Sequence, residues 1–453
     1  MTRLSGPSPT PSFAGGAISE HRLRNGMRVI LIERHLDPVV AVMLWYKVGS
    51  RNERGDEAGV SHFLEHMMFK GSARYPKGGV DRVTTSLGGV SNAFTTYDHT
   101  AFWFELASDR WEAALEIEAD RMSRLTLDPG EFAAEKAVVL EELHMGLDDP
   151  WRRLSQDVQE VVFPRHPYRR PVIGYADVLE RLEVGAMRDY YERFYHPGNA
   201  TLVIAGDIRP SAALRKVREH FGSLDAGAPY SSADCFRPPL GEPAGERSVT
   251  CYWDDPASRL CIAWPSVPVG TDEDIQLDVV SALLTMGRLS RMYRRLVLEQ
   301  GLASSIGSNN DTRVEGGAFW IFAECAEGVA PERLQAGIDE EIERLATERV
   351  PPAELKRAKS TLAALQSHEG ETVSDMAETV GSFAIDGDWR WAVDMTPRRN
   401  QVTARAVREC AARFFDHRRR VVGWSLPTPA NGRRPVATGR RKDGKRKKGA
   451  RRR

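Results

Sequence analysis

The sequence predicts an α+β fold of two domains with like topology, each a mostly antiparallel sheet covered by helices. Three observations carry this expectation. β-branched and aromatic runs bounded by breakers mark strands. Longer amphipathic segments between them mark helices. The strand–helix–strand order then restarts after a stretch rich in Pro, Gly, Ala and Ser at residues 225–248, which reads as a linker.

Taken in order, residues 1–19 are Ser/Pro/Gly-rich and read as a flexible tail. Asn25-Gly26 is a hairpin signal. The runs 29–32 and 39–46 are strands, and 56–70 switches to a helical pattern. Residues 90–107 read as two strands around a turn at Tyr97-Asp98. A helix covers 111–125. The next opens at Asp128-Pro129, a capping acid followed by Pro at the first helical position, and runs to about residue 145. Ala134, Val138, Val139 and Leu143 are its expected packed seam. Helices at 153–162 and 184–195, a buried strand at 200–207 and a helix at 210–221 complete a first domain, 20–224. The second, 249–429, has strands at 259–264, 317–323 and 421–426, with helices at 273–286, 290–299, 331–347 and 352–368. Residues 430–453 form a basic tail.

Hydrophobic residues make up 41% of the 453-residue chain and charged residues 28%, a globular balance. No run approaches the roughly 18 apolar residues that span a bilayer. The start carries no apolar signal core, so the expected compartment is the cytoplasm. Five cysteines, Cys235, Cys251, Cys261, Cys325 and Cys410, include no C-x-x-C pair and read as reduced thiols. Net charge is zero, but 433–453 holds 12 Lys and Arg against Asp443 alone, leaving an acidic body. That acidity, with no recognition fold in view, argues against nucleic acid as the main partner.

The chemistry lies in His62-Phe63-Leu64-Glu65-His66. On a helix His62 and His66 share one face and can hold one Zn²⁺, while Glu65 reaches a nearby water without being a ligand. This is the inverted zinc-peptidase order H-x-x-E-H. A catalytic zinc takes three protein ligands, so a third must come from elsewhere. The helix from Pro129 offers Glu131, Glu135, Glu141 and Glu142; Glu135 and Glu142 share a face, and Glu141 points away.

Together with Gly89–Thr95, His166-Pro167-Tyr168 and Tyr195…Pro197-Gly198-Asn199, these residues resemble the pitrilysin/insulinase family of zinc metallopeptidases. The likeness is to its short branch of processing peptidases and bacterial relatives, and it covers about residues 20–428. The resemblance implies that Glu142, 76 positions after His66, is the third ligand. It implies that Glu135 is the buried second acid near the metal, and that Asn92, Ala93 and Phe94 lie on a substrate-binding edge strand. The implied activity is zinc-dependent endoproteolysis of unfolded or short polypeptides, with Glu65 as the base. The alternative within the same resemblance is a non-catalytic core or assembly subunit. Intact His62, Glu65, His66 and Glu142 argue against it.

The second domain carries no such motif, since only His368 and His417 follow His220. It also departs from the family run whose Arg and Tyr reach substrate, with Val297 and Ser304 in their places and Arg294 and Arg295 out of register. The expected partner is therefore a homologous zinc-less subunit carrying that Arg/Tyr pair, or otherwise a second copy of the chain.

Overall fold

A computed structural model describes residues 11–228 and 245–429. Two mixed sheets organise the chain. The strands are β1 (Ser12–Phe13), β2 (Gly16–Arg22), β3 (Arg28–Glu33), β4 (Val39–Tyr46), β5 (Val90–Thr95), β6 (Thr100–Ala107) and β7 (Ala200–Gly206) in the first half. The second half has β8 (Arg247–Trp253), β9 (Arg259–Pro265), β10 (Ala303–Asp311), β11 (Ala318–Cys325) and β12 (Val421–Pro427). The first sheet runs β1-β2-β3-β7-β4-β6-β5, the second β10-β11-β9-β12-β8. β3 pairs with β7 in parallel and β8 with β12 in parallel; the other ladders are antiparallel. Stripped of β1 and β2, the two sheets have the same order and the same strand directions. The duplication expected from the order of elements is thus visible strand by strand.

Both faces of each sheet are covered, which explains why β4 reads as an unbroken apolar run. Val40, Val42, Leu44 and Tyr46 face the helices of their own half. Ala41, Met43 and Trp45 face the helix Val373–Asp386, which comes from the other half. The exchange is reciprocal. The helix Pro150–Val162 sends Leu154, Val158 and Val162 onto Cys261, Ala263 and Val421 of the second sheet. Each half lends a helix to the other's sheet, so neither sheet is dry on both faces alone.

Several expectations are corrected. The tail expected through residue 19 is not a tail from residue 12 onward: β1 and β2 extend the first sheet, with Ile18 buried against Val373–Asp386. The stretch read as linker to residue 248 ends earlier, because β8 starts at Arg247. Its middle, the start of the chain, Cys235 and the basic tail lie outside the described residues. β10 had no strand signal, being rich in Ser, Asn and Gly, and is held by β11. Residues 293–299 form a π-helix. The remaining cysteines are free thiols. Among the described residues, no helix is long and apolar enough to cross a membrane.

Candidate functional site

The first five helices of the chain are α1 (Val60–Met67), α2 (Gly79–Ser86), α3 (Glu112–Ser123), α4 (Pro129–Leu147) and α5 (Pro150–Val162), and α1 and α4 carry the site. α1 starts where it does because Gly59 turns the chain at φ +97°, and a Cβ there would lie 2.5 Å from the Ile173 carbonyl. The Glu53 carboxylate then accepts from the Gly59 and Ser61 amides, each at 2.9 Å, serving as a remote cap. Val60, Phe63, Leu64 and Met67 are buried, which turns His62 and His66 towards α4. Phe63 stacks on Phe132 of α4 with centroids 4.7 Å apart, fixing the distance between the two helices. α4 is capped by Asp128, which accepts from the Gly130 and Glu131 amides. Its packed residues are Phe132, Glu135, Val139 and Leu143, whereas Ala134 and Val138, expected in the seam, are exposed. The apolar stripe is narrower than the residue types indicated, and a polar face takes the space beside it.

That face meets α1. One donor atom each from His62, His66 and Glu142 lies within 4.8 Å of the others, and among the described residues no other such cluster occurs. The Glu142 carboxylate sits 3.7 Å from His62 Nε2 and 3.5 Å from His66 Nε2. Glu135 accepts from His66 Nδ1 at 3.0 Å and holds Lys70 Nζ at 2.5 Å. This bond fixes the His66 tautomer with its proton on Nδ1 and leaves the Nε2 lone pair facing the cluster. His62 Nδ1 is buried without a hydrogen-bond partner among the described residues. Burial, then His66 and Arg152, push the His62 imidazole down to about 4, so it stays neutral and able to donate a lone pair. Burial acts to raise Glu135, but the bonds from Lys70 and His66 prevail and hold it below the usual carboxylate range. Two imidazoles and a carboxylate, their atoms convergent, form a donor set of the kind that zinc takes.

Glu65 projects beside this cluster and is nearly buried. Burial raises its pKa above the ordinary range, and a 2.6 Å bond from Thr95 Oγ1 limits the rise. Thr95 ends β5, the outermost strand of the first sheet. On that strand Ala93 packs towards the α1 side and Phe94 towards the opposite face, against Trp45 with centroids 5.6 Å apart. Thr96 donates to the His99 carbonyl at the turn, so alternation directs the amides of Ser91, Ala93 and Thr95 away from β6. Asn92 is exposed, and its own Oδ1 accepts from the Ala93 amide at 2.9 Å.

His62, His66, Glu142, Glu135 and Glu65 therefore gather at one place, with Ala93 of β5 on the same side of the sheet and Phe94 on the other. Glu141 is exposed and apart, as its position on the helix required. Lys70 and Thr95 were not singled out. Lys70 lies one turn after His66, a spacing that could have revealed it. Thr95 is far in sequence from Glu65, and nothing local linked them. In the second half Val297 packs on the core and Ser304 bonds Glu324. Arg295 is tied to Glu340 and Glu341, and Arg294 lies 3.3 Å from Glu299.

Residues 28–175 match the family model described as insulinase (peptidase family M16), and residues 181–362 match the one described as the peptidase M16 inactive domain. Zinc protease PqqE of Helicobacter pylori is 28% identical over 82% of this chain and 84% of its own length. An uncharacterized zinc protease of Mycobacterium leprae is 30% identical over 75% of this chain and 76% of its own. The crystal structure of a protease from Helicobacter pylori superposes with a TM-score of 0.85 at 25% identity, covering 91% of this chain and all of that one. With the inverted histidine pair on α1, the acids of α4 and matches along most of both halves, the chain belongs to the insulinase, or M16, peptidase family.

Proposed function

We propose that this chain is a zinc metalloendopeptidase that cuts unfolded or short polypeptides. The observation that carries the reading is the convergence of His62, His66 and Glu142, with Glu65 beside them and an open sheet edge next to Glu65. His62, His66 and Glu142 would hold the metal, and Glu135 would orient His66. A zinc ion at this position supplies Lewis acidity, polarising a carbonyl and acidifying water. Glu65, raised by burial, takes a proton from the attacking water and returns it to the leaving amine. The outward amide of Ser91 receives the substrate as an added strand, the amide of Ala93 joins it once the Asn92 side chain releases its bond, and Asn92 and Phe94 flank the strand. Backbone pairing of this kind needs an extended segment, which a compact folded domain does not offer.

The second half serves as scaffold: its helix Val373–Asp386 stiffens the sheet that carries β5. A partner subunit with the Arg and Tyr that Val297 and Ser304 replace would complete the site, and a second copy of the chain is the alternative. The test is metal content and peptide cleavage, for the wild type and Glu65→Gln, alone and with candidate partners. One zinc per chain and cleavage abolished by Glu65→Gln are expected. Wild-type cleavage by the variant would overturn the assignment of the base.

A further inference from the structure

A cavity of about 300 Å³ opens beside the metal-ligand cluster, between the end of α4, α5 and residues 171–176. Leu143, Leu147 and Ile173 form its apolar wall, and Arg152 and Gln156 are among its polar groups. It shares α4 with the candidate metal site, through Leu143 and Gly146, and its Arg152 is near enough to His62 to act on that imidazole electrostatically. The Arg152 guanidinium lies flat against Gly146; a Cβ there would come within 2.5 Å of Nη1. Glycine at 146 thus makes the room that lets the arginine reach into the cavity.

The charges around the cavity are matched, except this one. Arg153 pairs with Asp157 at 3.2 Å. Glu160 accepts from the Tyr175 hydroxyl at 3.1 Å and lies 3.6 Å from Arg169. Lys70, on the other side of the cluster, is held by Glu135. Arg152 is exposed, and its side chain makes no hydrogen bond or ion pair among the described residues. Its position is also electrostatically costly. It sits in the first turn of α5, where the helix dipole disfavours a cation, and beside a site suited to a divalent metal. A cation kept there with no partner is one whose counter-ion arrives with a ligand.

We propose that Arg152 is a specificity-determining residue of a substrate-binding subsite that takes a carboxylate, either an Asp or Glu side chain near the scissile bond or the free C-terminus of a peptide. The inference rests on the peptidase reading above. The guanidinium donates to the carboxylate, Gln156 lies within the same cavity as a neutral neighbour, and the apolar wall receives the methylenes of the side chain.

The test uses the full zinc-loaded chain and a peptide series in which one position at a time, on both sides of the bond, carries Glu, Gln or Lys. Each peptide is made with a free and an amidated C-terminus. At one position Glu should exceed Lys in kcat/KM by about 10- to 100-fold, the range of one charge-assisted hydrogen bond. If the side chain is the source, amidation leaves that ratio unchanged; if the terminus is the source, amidation abolishes the preference. In Arg152→Glu the preference should reverse, and in Arg152→Gln it should collapse towards one. The same peptides are bound to Glu65→Gln chain and measured by fluorescence anisotropy. Cleavage with an identical Glu-to-Lys ratio in wild type and Arg152→Glu overturns the subsite and leaves the peptidase reading intact. No cleavage of any peptide, with carboxylate binding that still depends on Arg152, overturns the peptidase reading and leaves the subsite intact.

Discussion

Replacing Glu135 tests how the candidate metal site is held. Glu135 accepts from His66 Nδ1 at 3.0 Å and holds Lys70 at 2.5 Å, and its side chain is only 9% exposed. In Glu135→Gln the shape survives but the charge does not. A neutral amide oxygen can still accept from Nδ1, yet the bond loses its charge assistance, a difference of about 1–2 kcal/mol. The amide nitrogen also faces the Lys70 ammonium, donor against donor. His66 becomes a weaker base at Nε2, and zinc affinity should fall about 10-fold. Glu135→Ala removes the acceptor altogether and frees the ring to turn, so the loss should approach about 100-fold, the upper range for such supporting groups. The assay is competition for zinc against a chelator of known affinity, followed by metal content after gel filtration, which needs no substrate. Thermal unfolding of the metal-free variants shows whether the fold survives. If both variants bind zinc within about twofold of wild type while folded, His66 is not oriented by Glu135 and the reasoning fails.

Thr95→Val removes the hydroxyl that donates to Glu65 at 2.6 Å while keeping the shape. It should lower kcat about 10-fold with KM little changed, and Thr95→Ser should restore most of it; equal rates in all three would refute a positioning role. Gly381 lies on the helix Val373–Asp386, and a Cβ there would meet the Trp45 ring at 2.2 Å. Overpacking against this buried ring costs about 1–3 kcal/mol, which outweighs the ~1 kcal/mol that alanine contributes to helix propensity. Gly381→Ala should therefore lower the denaturation midpoint, and an unchanged or higher midpoint would show that the two halves are not locked at this contact.

Much of the site was legible in the sequence because its signals are local or periodic. His62 and His66 are one helical turn apart, and that spacing alone puts two imidazoles on one face. Asp128-Pro129 announced the start of α4, from which Glu135 and Glu142 follow on a common face two turns apart. The edge strand was marked by its motif, and its resemblance to a family supplied the pairing of α1 with α4 that no spacing within either helix contains.

Tertiary structure decided what depends on contacts between distant segments. The exchange of α5 and Val373–Asp386 between the two sheets could not be read, because an amphipathic helix states that it has a partner but not which one. β1 and β2 were hidden in a polar, Gly-rich stretch because their pairing is with β3 and their burial under a helix more than 350 residues away. The bond from Thr95 to Glu65 spans 30 residues, and the guanidinium of Arg152 is marked out by having no partner in space among the described residues. By itself the sequence determined which residue types stand at which helical and strand positions, since backbone geometry makes those periodicities universal. Packing decided which of these faces meet, because burial is non-directional and only the assembled chain selects one partner among many that would serve.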